Sequence, residues 1–258
     1  MQELPYTLDR TVVIRALPET VFRFFTDSAR WSAWWGVGST IDAKPGGKVY
    51  IRHANGIESA GEVVEVSAPD RIVFTYGFVS GKPIPAGSSR VTIRLEAAEQ
   101  GTRLHLTHEL ADQTTRDEHV QGWRFQLSLF SNVVANELYA DAGAAIDAWF
   151  SAWAIPDNRA RAEAFASIAA PGVSFRDRYS VLDGLDDLSA HAGAAQRFMP
   201  GMTLRRKGLV RQCQGSVLAD WTACASDGGE RMNGTSLFVF QTDGKLSSVV
   251  GFTNPMAS

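Results

Sequence analysis

The sequence predicts a two-part α+β chain: a curved antiparallel sheet with a long C-terminal helix, followed by a second α+β unit with the shape of a cone. Three observations predict it. Residues 48–110 break into short β-rich runs separated by turn chemistry (Asn55-Gly56, Pro69-Asp70, Gln100-Gly101). From Thr114 the apolar period changes to three- and four-residue steps. After residue 140 the order reverses, with helical patterns first and strands later.

Taken in order, Thr7–Ala16 has the β-branched density of a strand, and Pro18 opens a short helix whose Val21, Phe22, Phe24 and Phe25 form an apolar face. Asp27 or Ser28 caps the next turn, which carries the stretch Trp31-Ser-Ala-Trp-Trp-Gly36. Strands are expected at Lys48–His53, Glu58–Ser67, Arg71–Phe78, Arg90–Ala97 and Thr102–Leu110. The helix Thr114–Tyr139 follows. Its Val120, Trp123, Leu127, Phe130, Val134 and Leu138 make one stripe, which Phe125, Leu129 and Val133 widen. One unit ends near residue 139.

The second unit, 140–258, opens with Ala-rich helices at Ala142–Trp153 and Asn158–Ala169, split by Pro156, with Asp157 as the second cap. A short strand in Gly172–Arg178 precedes a third helix, Asp186–Phe198, which Pro200-Gly201 stops. Strands at Thr203–Cys213, Ser216–Ala225, Arg231–Gln241 and Leu246–Phe252 complete an antiparallel meander. No Gly/Ser- or Pro-rich linker separates the halves.

Composition excludes several functions. A net charge of −3 leaves no basic excess to neutralise phosphates, so nucleic acid is not an expected partner. On a strand, Arg205-Arg206-Lys207 divides between two faces and reads as a solvated edge. Cys213 and Cys224 stand alone, without a CxxC or histidines at ligand spacing, so neither a metal nor a cofactor is expected. The start lacks the basic and apolar runs of a signal peptide, and no apolar stretch is long enough to span a bilayer. A cytoplasmic protein without membrane attachment is the expectation.

Trp31, Trp34 and Trp35 share one side of a helical turn. Either they plug a core, as aromatic stripes at this spacing usually do, or one of Trp34 and Trp35 walls a pocket while the others anchor the turn. His105 and His108 fall on opposite faces of one strand and cannot share an ion. With His53 and His119, they are expected as polar groups at the surface or at a cavity mouth. Alternation in Val217–Ala223 turns Trp221 inward and leaves Asp220 solvated or paired with Arg211.

Residues 7–138 resemble the activator-of-Hsp90-ATPase-like branch of the START-like (Bet v 1-type) helix-grip fold. The resemblance is carried by "ALPETVFRFFTDSARWSAWWG", "PGGKVYIRH", "GEVVEVSAPDRIVFTYGF" and "HVQGWRFQLSLFSNVV". Residues 142–254 resemble a nuclear-transport-factor-2-like cone of the SnoaL and ketosteroid-isomerase type, carried by "AIDAWFSAW", "VSFRDRYSVLDGLDDLSAH", "LADWTA" and "SLFVFQTDGKL". Both resemblances imply a curved sheet closed by helices around an apolar cavity for a small hydrophobic or aromatic ligand. In the first cavity the implied lining is Trp34, Trp35, Tyr50, His53, His119, Trp123 and Leu127. Nothing resembles the separate chaperone-binding domain of the eukaryotic Hsp90 activators, so Hsp90 activation is not implied.

In the second cavity the isomerase resemblance places its proton-shuttling carboxylate at Asp177. A carboxylate in an apolar cavity is a stronger base than one in water. The positions of the isomerase's oxyanion donors fall near Trp149 and Ser236, which donate through an indole N–H and a hydroxyl instead; Trp221 adds to the lining. The rival reading of Asp177 is an ion pair with Arg176 or Arg178. Two functions therefore stay open: a binder of a hydrophobic molecule, or a cofactor-independent isomerase, cyclase or hydratase. Cones of this class also pair through their open sheet face, which makes a homodimer through the C-terminal sheet the expected assembly.

Overall fold

The computed structural model describes residues 3–254, and the chain divides into two compact units at Ala135/Asn136. In the first unit β1 (Tyr6–Ile14), α1 (Pro18–Arg23) and α2 (Ser28–Trp35) precede six strands. These are β2 (Thr40–Ile41), β3 (Lys48–Arg52), β4 (Glu58–Ser67), β5 (Arg71–Tyr76), β6 (Ser89–Ala98) and β7 (Gly101–Leu110). They form one antiparallel sheet in the order β1-β7-β6-β5-β4-β3-β2. The helix α3 (Gln113–Leu138) follows. Asp27 is the cap of α2, accepting the Arg30 amide at 2.9 Å, and Pro18 begins α1.

Only one face of α3 is buried: Trp123, Gln126, Leu127, Phe130, Ser131 and Val134. This stripe is narrower than the sequence suggests. Phe125 is exposed, because at 100° per residue it lies about 160° round the helix from both Trp123 and Leu127 and so leaves the sheet-facing side. The buried face meets α1 and α2 through rings. Phe130 lies 4.9 Å from Phe25, 4.8 Å from Trp34 and 5.9 Å from Phe24.

The second unit contains α4 (Ala142–Ala152), α5 (Asn158–Ile168), β8 (Ala169–Arg176), β9 (Val181–Asp183) and α6 (Leu185–Phe198). Strands β10 (Thr203–Cys213), β11 (Ser216–Cys224), β12 (Glu230–Phe240) and β13 (Leu246–Thr253) complete it. The sheet order is β10-β11-β12-β13-β8-β9. The meander β10–β13 is antiparallel, but β13 pairs with β8 in parallel, a pairing that four strands and α6 separate in sequence. The short β2 and β9 have no counterpart in the sequence reading: two or three residues carry no alternation to detect.

A buried arginine fixes α6. Arg161, 2% exposed, donates to the carbonyls of Ser189 (2.9 Å), Ile155 (2.8 Å) and Pro156 (3.3 Å) and to Asn158 Oδ1 (2.6 Å). Gly193 makes room for it, because a Cβ there would stand 2.3 Å from the guanidinium. Arg161→Met should leave these acceptors unpaired and lower the stability of the second unit by about 3 kcal/mol. Urea unfolding followed by circular dichroism measures this, and an unchanged midpoint would remove Arg161 from the framework of α6.

Candidate functional site

In the first unit the three indoles are buried and touch one another: Trp31–Trp34 at 5.1 Å, Trp34–Trp35 at 4.4 Å and Trp31–Trp35 at 5.7 Å between ring centroids. Trp31 donates to the Tyr50 carbonyl (3.3 Å) and Trp34 to that of Phe24 (3.2 Å). Tyr50 itself points away from this cluster. Its neighbours Val49 and Ile51 are buried on the opposite face, while its hydroxyl bonds Glu58 among exposed groups, which raises its pKa.

Trp35 leads into a polar-edged group of rings. It contacts His53 (5.6 Å) and Trp123 (5.7 Å), and His108 contacts both Trp123 (5.9 Å) and His119 (5.2 Å). Leu127 is buried one turn beyond Trp123. Four of the expected lining residues, Trp35, His53, His119 and Trp123, are thus brought together. His108 corrects the sequence reading: it is wholly buried, not at a mouth, because the inward phase of β7 carries it beneath α3. His105 takes the outward phase, beside Glu96 and Thr11.

The hydrogen bonds fix the histidine tautomers. Trp123 Nε1–H donates to His108 Nδ1 (3.0 Å), so His108 Nε2 carries the proton and donates to Ser89 Oγ (2.8 Å). A second proton on Nδ1 would confront the Trp123 N–H. Among the described residues His119 Nδ1 faces the Thr115 carbonyl (2.7 Å), so Nδ1–H donates and Nε2 is an acceptor, buried there without a partner. Burial first, and the nearby His119 charge second, push the His108 pKa down to about 3; burial also lowers that of His53. Burial pushes Tyr76 up to about 12.

The second unit holds a cavity of about 550 Å³. Trp149 and Phe150 of α4, Trp153, Phe175 of β8, Trp221 of β11 and Met232 of β12 give it apolar walls. On the α6 side Ala194 and Ala195 leave the volume open, and the exposed Tyr179, Phe198 and Met199 form the rim. All four residues expected here, Trp149, Asp177, Trp221 and Ser236, line it.

Asp177 is half-buried and takes the Tyr179 amide on Oδ1 (2.8 Å). Neither flanking arginine is bonded to it. Arg176 is engaged with Asp183 (2.9 Å) and the Leu182 carbonyl (2.7 Å), while Arg178 lies 5.7 Å over the Tyr179 ring. Trp221 faces inward and donates to Ser236 Oγ (3.0 Å), and Asp220 faces outward to Arg211 (3.0 Å), as alternation predicts.

The sequence reading passes over a further polar pair: His191 of α6 and Ser180, joined Nε2 to Oγ at 2.9 Å on the cavity wall. Its signal is the placement of His191 nearly two turns inside the helix that follows the Asp177 turn. No group of three or more His, Cys, Asp or Glu suited to a metal occurs among the described residues, and no helix is long and apolar enough to cross a membrane.

Residues 15–135 match the family of activator of Hsp90 ATPase homolog 1-like proteins. The match falls within the first unit. Among curated proteins no sequence matches the chain. Solved structures similar to parts of it include a SnoaL-like family protein from Agrobacterium tumefaciens, 22% identical over 43% of this chain and 96% of that one, with a TM-score of 0.42. Another is the Aha1 dimer from Colwellia psychrerythraea, 17% identical over 47% and 90% of the two chains, TM-score 0.42. A third is CalU16 from Micromonospora echinospora, 22% identical over 52% and 79%, TM-score 0.42.

The activator-like unit should weaken in mild acid. The unfolded chain protonates histidine near pH 6.5, whereas native His108 resists to about pH 3. The unfolded state therefore holds more protons in that window, so stability falls as pH drops, by about 1.4 kcal/mol per pH unit from His108 alone. Hydrogen exchange of peptides from residues 113–138 at pH 7 and pH 5, corrected for the intrinsic rate, should show this loss. His108→Gln keeps an acceptor and a donor without titrating and should flatten it; an equal loss in that variant would assign the acid sensitivity elsewhere.

Proposed function

We propose that the second unit binds a small hydrophobic or aromatic molecule in its cavity. The observation that carries this reading is the cavity itself: about 550 Å³, walled by Trp149, Trp153, Phe175 and Trp221, with a few polar groups from α6 and from the sheet among them. Small-molecule sites have this size and this pairing of apolar walls with sparse polar groups. An environment-sensitive apolar dye should bind the whole chain and quench tryptophan fluorescence. Ala194→Trp, which fills the cavity from α6, should weaken it at least tenfold while the far-ultraviolet circular dichroism is unchanged. Full binding in that folded variant would place the dye elsewhere.

A second reading, a cofactor-independent isomerase, cyclase or hydratase with Asp177 as proton shuttle, is favoured by the carboxylate's freedom from Arg176 and Arg178. A positioned base typically contributes about a hundredfold or more. The chain should accelerate exchange of the methyl protons of acetylnaphthalene into deuterated water, and Asp177→Asn should remove that acceleration while leaving the probe bound. Equal exchange by both proteins would leave binding as the function.

The outer face of the same sheet suits a homodimer. Leu218, Leu237 and Val250 align across three strands, beside the exposed Phe252. The free thiols of Cys213 and Cys224 suit a reducing cytoplasm.

A further inference from the structure

The Ser180–His191 pair places a hydroxyl against an imidazole at the cavity wall. Beyond Arg176 and Val181, the last register pair of β8 and β9, the chain turns through Asp177 to Ser180. The Asp177 amide donates to the Ser180 carbonyl (3.0 Å), and the Tyr179 amide donates to Asp177 Oδ1 (2.8 Å). This closed turn fixes the phase of the segment: Tyr179 is exposed, whereas Ser180 is buried and lines the cavity.

His191 reaches the serine from α6, with Nε2 at 2.9 Å from Ser180 Oγ. The helix is anchored two residues earlier, where buried Arg161 donates to the Ser189 carbonyl. Trp153 stands edge-on to the imidazole, 6.0 Å between centroids at 85°, and limits its rotation. With the ring proton on Nδ1, Nε2 accepts the Ser180 hydroxyl, which is the arrangement that activates a serine.

Two donors around this pair lack acceptors. The Trp153 indole N–H is buried without a partner among the described residues, and the Ser180 amide N–H has none there either. Buried polar groups are nearly always bonded, so unmet donors on residues that line a cavity point to a group that arrives with the ligand. N–H groups beside a nucleophile suit an oxygen on which negative charge develops.

We infer that Ser180 and His191 form a nucleophile–base dyad that hydrolyses small apolar or aromatic esters. Ser180 Oγ bonds the ester carbonyl carbon as its proton passes to His191 Nε2. The carbon–oxygen bond to the alcohol then breaks, and His191 gives that proton to the leaving oxygen. Water attacks the acyl-serine and passes a proton to His191; the acid departs and the proton returns to Ser180. Ester and water become acid and alcohol, with nothing oxidised or reduced. No carboxylate bonds His191 among the described residues, so turnover is slower than that of a full triad. The inference rests on the cavity reading for the apolar body of the ester and assigns no role to Asp177 as a shuttle.

A decyl fluorophosphonate, which loses fluoride to an activated serine, tests the dyad on the full chain. Mass spectrometry should find one adduct, on the peptide containing Ser180, and 1-naphthyl acetate should release naphthol. Ser180→Ala should abolish both. His191→Gln, whose amide keeps a hydrogen bond to Ser180, should slow labelling at least a hundredfold. Both variants should retain dye binding and the far-ultraviolet circular dichroism of the natural chain. If the natural chain binds the dye and Ser180 stays unlabelled, the dyad is overturned and the cavity reading stands. Naphthol release that persists in Ser180→Ala also overturns the dyad. If the natural chain takes up neither dye nor phosphonate, the cavity reading fails and the dyad falls with it.

Discussion

The parallel register between β8 and β13 is the constraint on which the cavity depends. Every other neighbouring pair in that sheet is antiparallel, and each is set by a local turn. The β8–β13 pair has no turn to fix it; Val249 beside Phe175 sets it by burial on the same face. A slip of one residue would rotate Asp177 outward and send an arginine into the apolar interior. The desolvation of that arginine is what makes the correct register the only affordable one.

The two units solve one packing problem in opposite ways. Each curves a sheet around helices, but α3 brings Trp123, Leu127 and Phe130 to meet Trp34, Trp35 and Phe25, and the rings fill the space between them. On the cavity side of the second unit, α6 presents Ala194 and Ala195, and the sheet presents Ala223 and Gly251. Small residues there cannot reach the opposite wall, so volume remains.

Much of this was legible in the sequence. Alternation placed Trp221 inside and Asp220 outside beside Arg211, and the period of 113–138 announced α3. The four residues expected in the second cavity are on its wall, because strand phase and the resemblance pointed to the same face. What escaped was long-range or subtractive. His191 meets Ser180 through a helix–turn contact that periodicity does not encode. His108 looked like a peripheral histidine because its burial depends on α3 lying over β7. Gly251 escaped because a missing side chain has no pattern of its own.

The rim has a consequence for ligand length. Tyr179 and Phe198 are 69% and 84% exposed, so a molecule longer than the cavity would pass between rings that cover it on one side only. Each methylene inside removes its full surface from water; each one beyond the rim keeps part of its hydration. Affinity along a homologous series should therefore rise steeply and then bend to a gentler slope, with no upper cut-off. The bend would measure, in carbon atoms, the depth from the inner end of the cavity to open solvent.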